Sequence, residues 1–536
     1  MATPTVHIAR NQNYGCIQCG QCCRRFHVRL TEAEVTRLQA LDWGAEPDVP
    51  RDFTHRLGGH TYFQRRADGG CVFLDGQTGA CRMHARFGFD VKALTCRGYP
   101  HNLASTWRDE VAVVARLDCP AVQQHAGKPL EANRRQIEHL VEELGTRGSF
   151  TVRQLEGLNR ETVKRLTRVL VGLIEEHGKR SPGALAYTLF LAAERWQALG
   201  ASFLNDSETL EAVLPSLLAG VRDEAAARPA ERLGLLSKAL FREWLAACCR
   251  RDEELVRPGL AIRLHRSAAL AAYALGVGSL RAMGQEHPDL SLRRVRLFAA
   301  GEGWEPSSPD AWEAFWRLLV ARLEGPQFFG VAYYDQPFFT GLRALLQSYA
   351  LVLAAARTHA AARLASGAGG GGPPHLHWLW SARGIPGTGR EPRPVHSSGE
   401  APGLRRSGGG PPHLHQTAGE PTASPPNHGG GPPHLHQTAV EPTASPPNHG
   451  GGPPHLHQTA GEPTASPPNH GGGPPHLHQT AVGARRIETE DVHYAVGAID
   501  HTLGRSPLLQ WQLWRQVEGY FGGARYGRLL HSLGWE

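Results

Sequence analysis

From about residue 131 to 365, apolar residues recur at three- and four-residue steps. After Thr151, Leu155, Leu158, Leu166, Val169, Leu170 and Leu173 make one stripe, and Phe338, Leu342, Leu345, Leu346, Tyr349 and Leu353 make another. That period puts apolar side chains on one face of an α-helix, and such stripes are core rather than cofactor boxes. Breakers at Ser181-Pro182, Pro215, Pro229 and Pro258 divide the region into roughly eight helices. Cys248 and Cys249 fall inside the apolar segment Leu240 to Cys249, where a reduced cysteine behaves as a small hydrophobe. Before residue 125 the pattern is shorter. Thr61 to Gln64, Cys71 to Leu74 and Val111 to Leu117 read as strands. Thr31 to Leu41 reads as a helix with a Thr31/Glu34 capping box, expected to lie as a lid beside the first loop. Asp75-Gly76 and Thr78-Gly79 mark a tight turn that brings Cys71 and Cys81 together.

Periodicity stops between 366 and about 484, where Gly, Pro, Ser, Thr and His dominate. The unit GGGPPHLHQTA(G/V)EPTASPPNH recurs every 21 residues, with His413, His434, His455 and His476 in equivalent places. The unit has too little apolar surface to offset the entropy of ordering it, so a disordered, partly polyproline-like tract is expected. Each copy presents a His-x-His pair such as His434 and His436 with a further histidine such as His449, which reads as adventitious affinity for zinc, nickel or copper. Beyond the tract, Val492, Val496 and Ile499 form one stripe and Leu508, Trp511, Trp514, Val517 and Phe521 another. So short and aromatic a segment is expected to dock on the earlier helices. The chain therefore reads as mainly α. A small cysteine-rich α+β metal-binding domain over 1–125 is followed by a multi-helix domain over 126–365, interrupted by disordered repeats over 366–484 and completed by C-terminal helices over 485–536.

Composition adds little until the cysteines. A net charge of +7 spread over scattered pairs such as Arg24-Arg25, Arg65-Arg66 and Arg485-Arg486, with five lysines among 57 basic residues, gives no nucleic-acid surface. No stretch is expected to supply the roughly 18 to 20 apolar residues of a membrane helix, the longest candidate being Ala268 to Leu280. Met1 to Asn13 is polar, without the apolar core of a secretory signal, so a cytoplasmic location is expected.

Eight of the ten cysteines sit in the first 119 residues: Cys16, Cys19, Cys22, Cys23, Cys71, Cys81, Cys96 and Cys119. In a reducing compartment such thiols stay free to bind a metal rather than pair as disulfides. Two-residue gaps let one loop aim several sulfurs at a single centre, which reads as a soft-metal or iron–sulfur site. Cys16, Cys19 and Cys22 have the three-ligand spacing of bacterial ferredoxins, and Cys119-Pro120 fits the remote fourth ligand. Adjacent Cys22 and Cys23 project in different directions, so one of them can serve a second site. Eight thiols suffice for one four-cysteine cluster plus a four-cysteine zinc, or for one cluster with structural thiols to spare. His84, His101 and Arg97 are weaker candidates, as occasional ligands, hydrogen-bond donors or thiolate-stabilising charge.

The run Tyr14-Gly15-Cys16 to Cys23, with Cys71-Val-Phe-Leu, Cys81-Arg-Met-His and Thr95-Cys96-Arg-Gly-Tyr-Pro100, resembles the YkgJ-type cysteine cluster family, described as zinc- or iron-chelating and related to the flagellin lysine N-methylases. The resemblance spans about residues 10 to 125. It implies metal ligation by Cys16, Cys19, Cys22, Cys23, Cys71, Cys81 and Cys96, with Cys119 as a further ligand. It favours a four-iron four-sulfur (4Fe–4S) cluster over Zn2+. Val91-Lys92-Ala93-Leu94 replaces the family's usual arginine-proline. By analogy it also admits S-adenosylmethionine-dependent lysine methylation of a protein substrate, although no nucleotide fingerprint is present and the Gly367 to Gly372 run is linker. Three functions follow as expectations: an iron–sulfur protein with a redox partner, a protein lysine N-methyltransferase, or a zinc-stapled helical interaction module.

Overall fold

The computed structural model describes residues 4–367 and 485–533, apart from 45, 47, 109, 147, 179–181, 228–230, 251–259, 285–286, 299–303, 307, 507 and 511. The chain divides into two units, Met1–Ser381 with Thr480–Glu536, and Ala382–Gln479. The second unit, and with it the histidine repeats of 368–484, lies outside the described residues, as does Trp511.

The architecture is mainly α with a small α+β region at the N-terminus. A three-stranded sheet has Glu110–Ala115 at its centre, parallel to Thr5–Ile8 and antiparallel to His101–Ser105. Its middle strand reads Val111-Ala112-Val113-Val114-Ala115 without alternation because both faces are covered, and all five residues are buried. Val111, Val113 and Ala115 join Val6 and Ile8 in the same core as the helices. A second, antiparallel sheet of Arg29–Leu30, His60–Phe63 and Thr54–Leu57 encloses a separate small core, with Leu30, Leu38, Phe53, Phe63, Phe73 and Met83 at its heart.

Among the described residues the longest helix is Phe338–Gly367, which packs on Thr489–Thr502 and Pro182–Asn205. Its Phe338–Ser366 portion is long and apolar enough to cross a membrane, and exceeds Ala268 to Leu280 in that respect. Of its most apolar window 89% is buried inside the protein, so here the run is the axis of a helical core. Val492, Val496, Ile499, Trp514, Val517 and Phe521 are all buried in that core, as are Cys248 and Cys249.

Three local expectations change. Cys71 to Leu74 is no strand. It is a tight turn carrying single bridges, Arg65 to Cys71 and Leu74 to Cys81, because both ends serve the cysteine site. Pro215 breaks nothing: it lies inside Ser207–Ala226, a peripheral helix with few buried residues, where the carbonyl it deprives can turn to water. The 131–365 region contains more than eight helical segments, because short ones such as Val152–Leu155 and Leu292–Val295 have only one turn and leave no periodic signature.

Candidate metal centre

Each cysteine is fixed by a local turn. Cys16 and Cys19 lie in the loop before a helical turn, Gln21–Arg25, that carries Cys22 and Cys23. The loop reverses through Gln18 and Gly20, both at positive φ (56° and 67°). It is clamped from two sides: Gly127, at φ +83°, lies so close to Gly15 that an added Cβ would sit 2.5 Å from the Gly15 nitrogen. A Cβ on Gly79 would sit 2.3 Å from the Gln18 carbonyl oxygen. Cys81 and Cys119 cap the starts of Arg82–Phe87 and Pro120–Gln123, and Cys96 lies within Leu94–Gly98. The Cys71 amide donates to the Cys23 carbonyl at 2.8 Å, which pins those two residues side by side. The Asp75 side chain accepts from the Gln77 and Thr78 amides, closing the turn between Cys71 and Cys81.

All eight N-terminal cysteines line two adjoining cavities. The outer one, about 170 Å³, is lined by Cys16, Cys19, Cys22, Cys23, Cys81 and Cys119 with Tyr14, His84, Lys92 and Tyr99. The inner one, about 50 Å³, is lined by Cys22, Cys23, Cys71, Cys81 and Cys96 with Phe26, Val28, Phe63, Phe73 and Met83. Cys16 and Cys19 are exposed, whereas Cys71 and Cys119 are buried. The sulfurs of Cys22 and Cys23 are 3.9 Å apart. Four thiolates around one tetrahedral ion stand about 3.8 Å from each other, given metal–sulfur bonds of about 2.3 Å. Among the described residues, no three His, Cys, Asp or Glu side chains are gathered at ligating separations.

The donor set suits a soft metal. The Cys23 thiol donating to the Cys22 sulfur draws Cys22 down to about 7, against the opposing effect of burial and with help from Lys92. Cys23 moves up for the same reason in reverse. Burial pushes Cys71 up to about 11 and Cys119 up to about 12, despite amide donors at Phe73 for the former and at Ala121 and Val122 for the latter. Buried thiols are therefore protonated unless a cation joins them, and a coordinated metal deprotonates its thiols outright. Lys92, absent from the sequence-level candidates, supplies positive charge at both cavities. Its signal was the Val91–Leu94 departure, one of five lysines next to a cysteine segment.

The weaker candidates separate. His84 lines the outer cavity, with its basicity lowered by burial and then by Lys92. His101 lines neither cavity; its Nδ1 contacts the Gly98 carbonyl and its ring meets Tyr14 edge-on. Arg97 neither faces solvent nor serves a thiolate. It is buried and pairs with Glu143 at 2.8 Å, because the short helix holding Cys96 turns its neighbour away from the sulfur. The helix Glu32–Gln39 is no lid over the cysteine loop: Leu38 is buried in the small core and Glu34 accepts from the Leu94 amide at 2.7 Å, at the start of the Cys96 helix.

Behind the outer cavity lies a buried ionic network that sequence reasoning missed. The Tyr99 hydroxyl donates to Asp118 at 3.1 Å, and Asp118 also meets Arg116 and His501. Burial alone would raise Asp118; Arg116 and His501 outweigh it and hold its carboxyl below the usual range. Arg25 donates to the Asp118 carbonyl, and Phe26 stacks on His501 at 5.8 Å. The segment leading into Cys119 is thereby fastened to the helix Thr489–Thr502.

An uncharacterized protein of Methanocaldococcus jannaschii is 24% identical over 113 residues, 21% of this chain; the chain spans 37% of that relative's length. No solved structure matches. Residues 15–120 match the model of the CxxCxxCC family, described as "Putative zinc- or iron-chelating domain", and this segment is similar to that cysteine-cluster domain.

Proposed function

We propose that the N-terminal region binds a 4Fe–4S cluster through Cys16, Cys19, Cys22 and Cys119 and exchanges electrons with a protein redox partner in a reducing compartment. One observation carries the reading: Cys119, followed by proline, lines the same cavity as the CxxCxxC loop some hundred residues earlier in the chain. That is the ligand pattern of a ferredoxin-type site, three close cysteines and a remote Cys-Pro. When bound, such a cluster supplies one-electron chemistry. The residues around it do the rest. Cys16 and Cys19 keep one edge in contact with solvent, where a partner can approach. Tyr14, Tyr99 and Ala121 line the same cavity. Lys92 offsets part of the thiolate charge, which favours the reduced, more negative state.

The test is anaerobic purification of the full chain and of Cys19→Ser, followed by visible absorption, iron and acid-labile sulfide assays and electron paramagnetic resonance after dithionite. The reading expects a brown protein with iron and sulfide in equal amounts, a signal on reduction, and loss of all three in Cys19→Ser. A colourless protein holding zinc without sulfide overturns it.

A further inference from the structure

The helix Arg160–His177 and the end of the helix Glu313–Glu324 meet the central sheet around a cavity of about 320 Å³ that no cysteine lines. Its apolar walls are Trp107, Val163, Val171, Leu323 and Pro326, all buried. Val163, Lys164, Thr167, Arg168 and Val171 recur at three- and four-residue steps, so one face of a single helix supplies one side of it. Ligand cavities measure about 300 to 1,000 Å³ and are mostly apolar, with a few convergent polar groups. This one fits that description.

The charges around it do not balance. Glu110 accepts from the Thr106 hydroxyl with one carboxylate oxygen and from Arg160 with the other. Glu324 accepts from the Arg10 guanidinium with one oxygen and from the Arg10 amide with the other. Both carboxylates are therefore satisfied. Lys164 and Arg168 also line the cavity and are exposed, and their side chains make no hydrogen bond or ion pair with any described residue. They stand one helical turn apart, where like charges repel. A neighbouring cavity of about 530 Å³ has the contrasting sign: it shares Arg10 but presents Glu175, Asp310 and Glu313 against Arg317. An anion is thus steered to the first cavity and away from the second.

We propose that the cavity beside Trp107 binds an organic anion, a carboxylate or phosphate ester on an apolar aliphatic or aromatic body. Lys164 and Arg168 grip the head, while Trp107, Val163 and Leu323 enclose the body. Arginine holds such a head through paired N–H bonds, and lysine holds it as a point charge. The site uses no cysteine, so it stands whether or not the metal reading does.

The experiment follows the fluorescence of anilinonaphthalene sulfonate, an anionic aromatic dye, on the full chain, with decanoate, phenyl phosphate and uncharged decanol as competitors. Wild type should bind the dye saturably, and at least one of the two anions should displace it while decanol does not. Displacement by decanoate alone identifies an acyl chain as the body, and by phenyl phosphate alone an aromatic one; either supports the site. Lys164→Gln combined with Arg168→Gln should weaken the dye about tenfold or more. Arg293→Gln combined with Arg294→Gln removes as much exposed charge elsewhere and should leave binding unchanged. Equal weakening by both pairs, displacement by decanol as strong as by the anions, or no saturable binding overturns the proposal, as does failure of both anions to displace. If the Lys164 and Arg168 variant does not fold, acylation of wild-type lysines decides, read by mass spectrometry. The displacing anion should shield Lys164 from the reagent and leave exposed Lys128 reactive. Equal labelling of Lys164 with and without that anion overturns the proposal.

Discussion

Gly79 has no room for a methyl group: it sits at φ +70° with the Gln18 carbonyl where a Cβ would go. Gly69 shares the conformation, φ +76°, but faces open space. Gly69→Ala should therefore cost about 1 kcal/mol of conformational strain, and Gly79→Ala roughly 3 kcal/mol or more together with loss of bound metal. Denaturant unfolding and metal analysis of the two variants check this; equal effects would contradict it. A second residue sets a pH dependence. Burial raises Glu518 to about 7, against Arg515 at 2.6 Å and the Tyr333 hydroxyl, which donates to it at 2.7 Å. The folded state thus holds a proton that the unfolded chain has released, so this contribution is full below the ordinary carboxylate value and is lost as pH rises through about 7. Glu518→Gln should flatten that decline, gaining on the order of 2 to 3 kcal/mol over wild type at about pH 8 and little near pH 5, as read by thermal melts. At this scale the cysteines were legible because spacing alone reveals them. Lys92 and the true partner of Arg97 were not, since each is chosen by chain that lies next to it only after folding.

Short elements show where pattern reading works. The Thr-x-x-Glu signature at Thr31 and Glu34 is a full capping box in the structure, with the Thr31 hydroxyl accepting from the Glu34 amide and Glu34 accepting from the Thr31 amide. Thr31→Ala should cost about 1 kcal/mol, measured by urea unfolding. Glu34→Ala should cost more, because the other carboxylate oxygen also holds the Leu94 amide at the start of the Cys96 helix. That second bond spans sixty residues and had no local signal. The Cys71 to Leu74 run shows the opposite failure. Val72, Phe73 and Leu74 are apolar for the sake of the small core, and their β-like composition concealed a turn. Pro215 fails for a related reason: a proline ends a helix with certainty only where packing forbids the bend it imposes.

Across the whole molecule, helical periodicity made the fold class legible, while the charges that fasten the cysteine region to the helices were unreadable. Arg322 and Asp500, 178 residues apart, meet at 2.6 Å with both side chains almost wholly buried, and Asp500 also accepts from the Leu117 amide, two residues before Cys119. Arg322→Leu leaves that carboxylate with one fewer partner in a dry setting and should destabilise the protein by about 3 to 5 kcal/mol in urea unfolding. Such a pair looks in the sequence like any two surface charges. The sulfurs are different, because their chemistry declares itself before folding, and the fold then sets the eight cysteines along two adjoining cavities. The most direct measurement is elemental analysis of freshly isolated, oxygen-protected full-length protein, combined with mass spectrometry of its cysteine oxidation state. Stoichiometric zinc or iron on eight reduced N-terminal cysteines is the result expected. Metal-free protein, or those cysteines joined to one another as disulfides, would contradict the account.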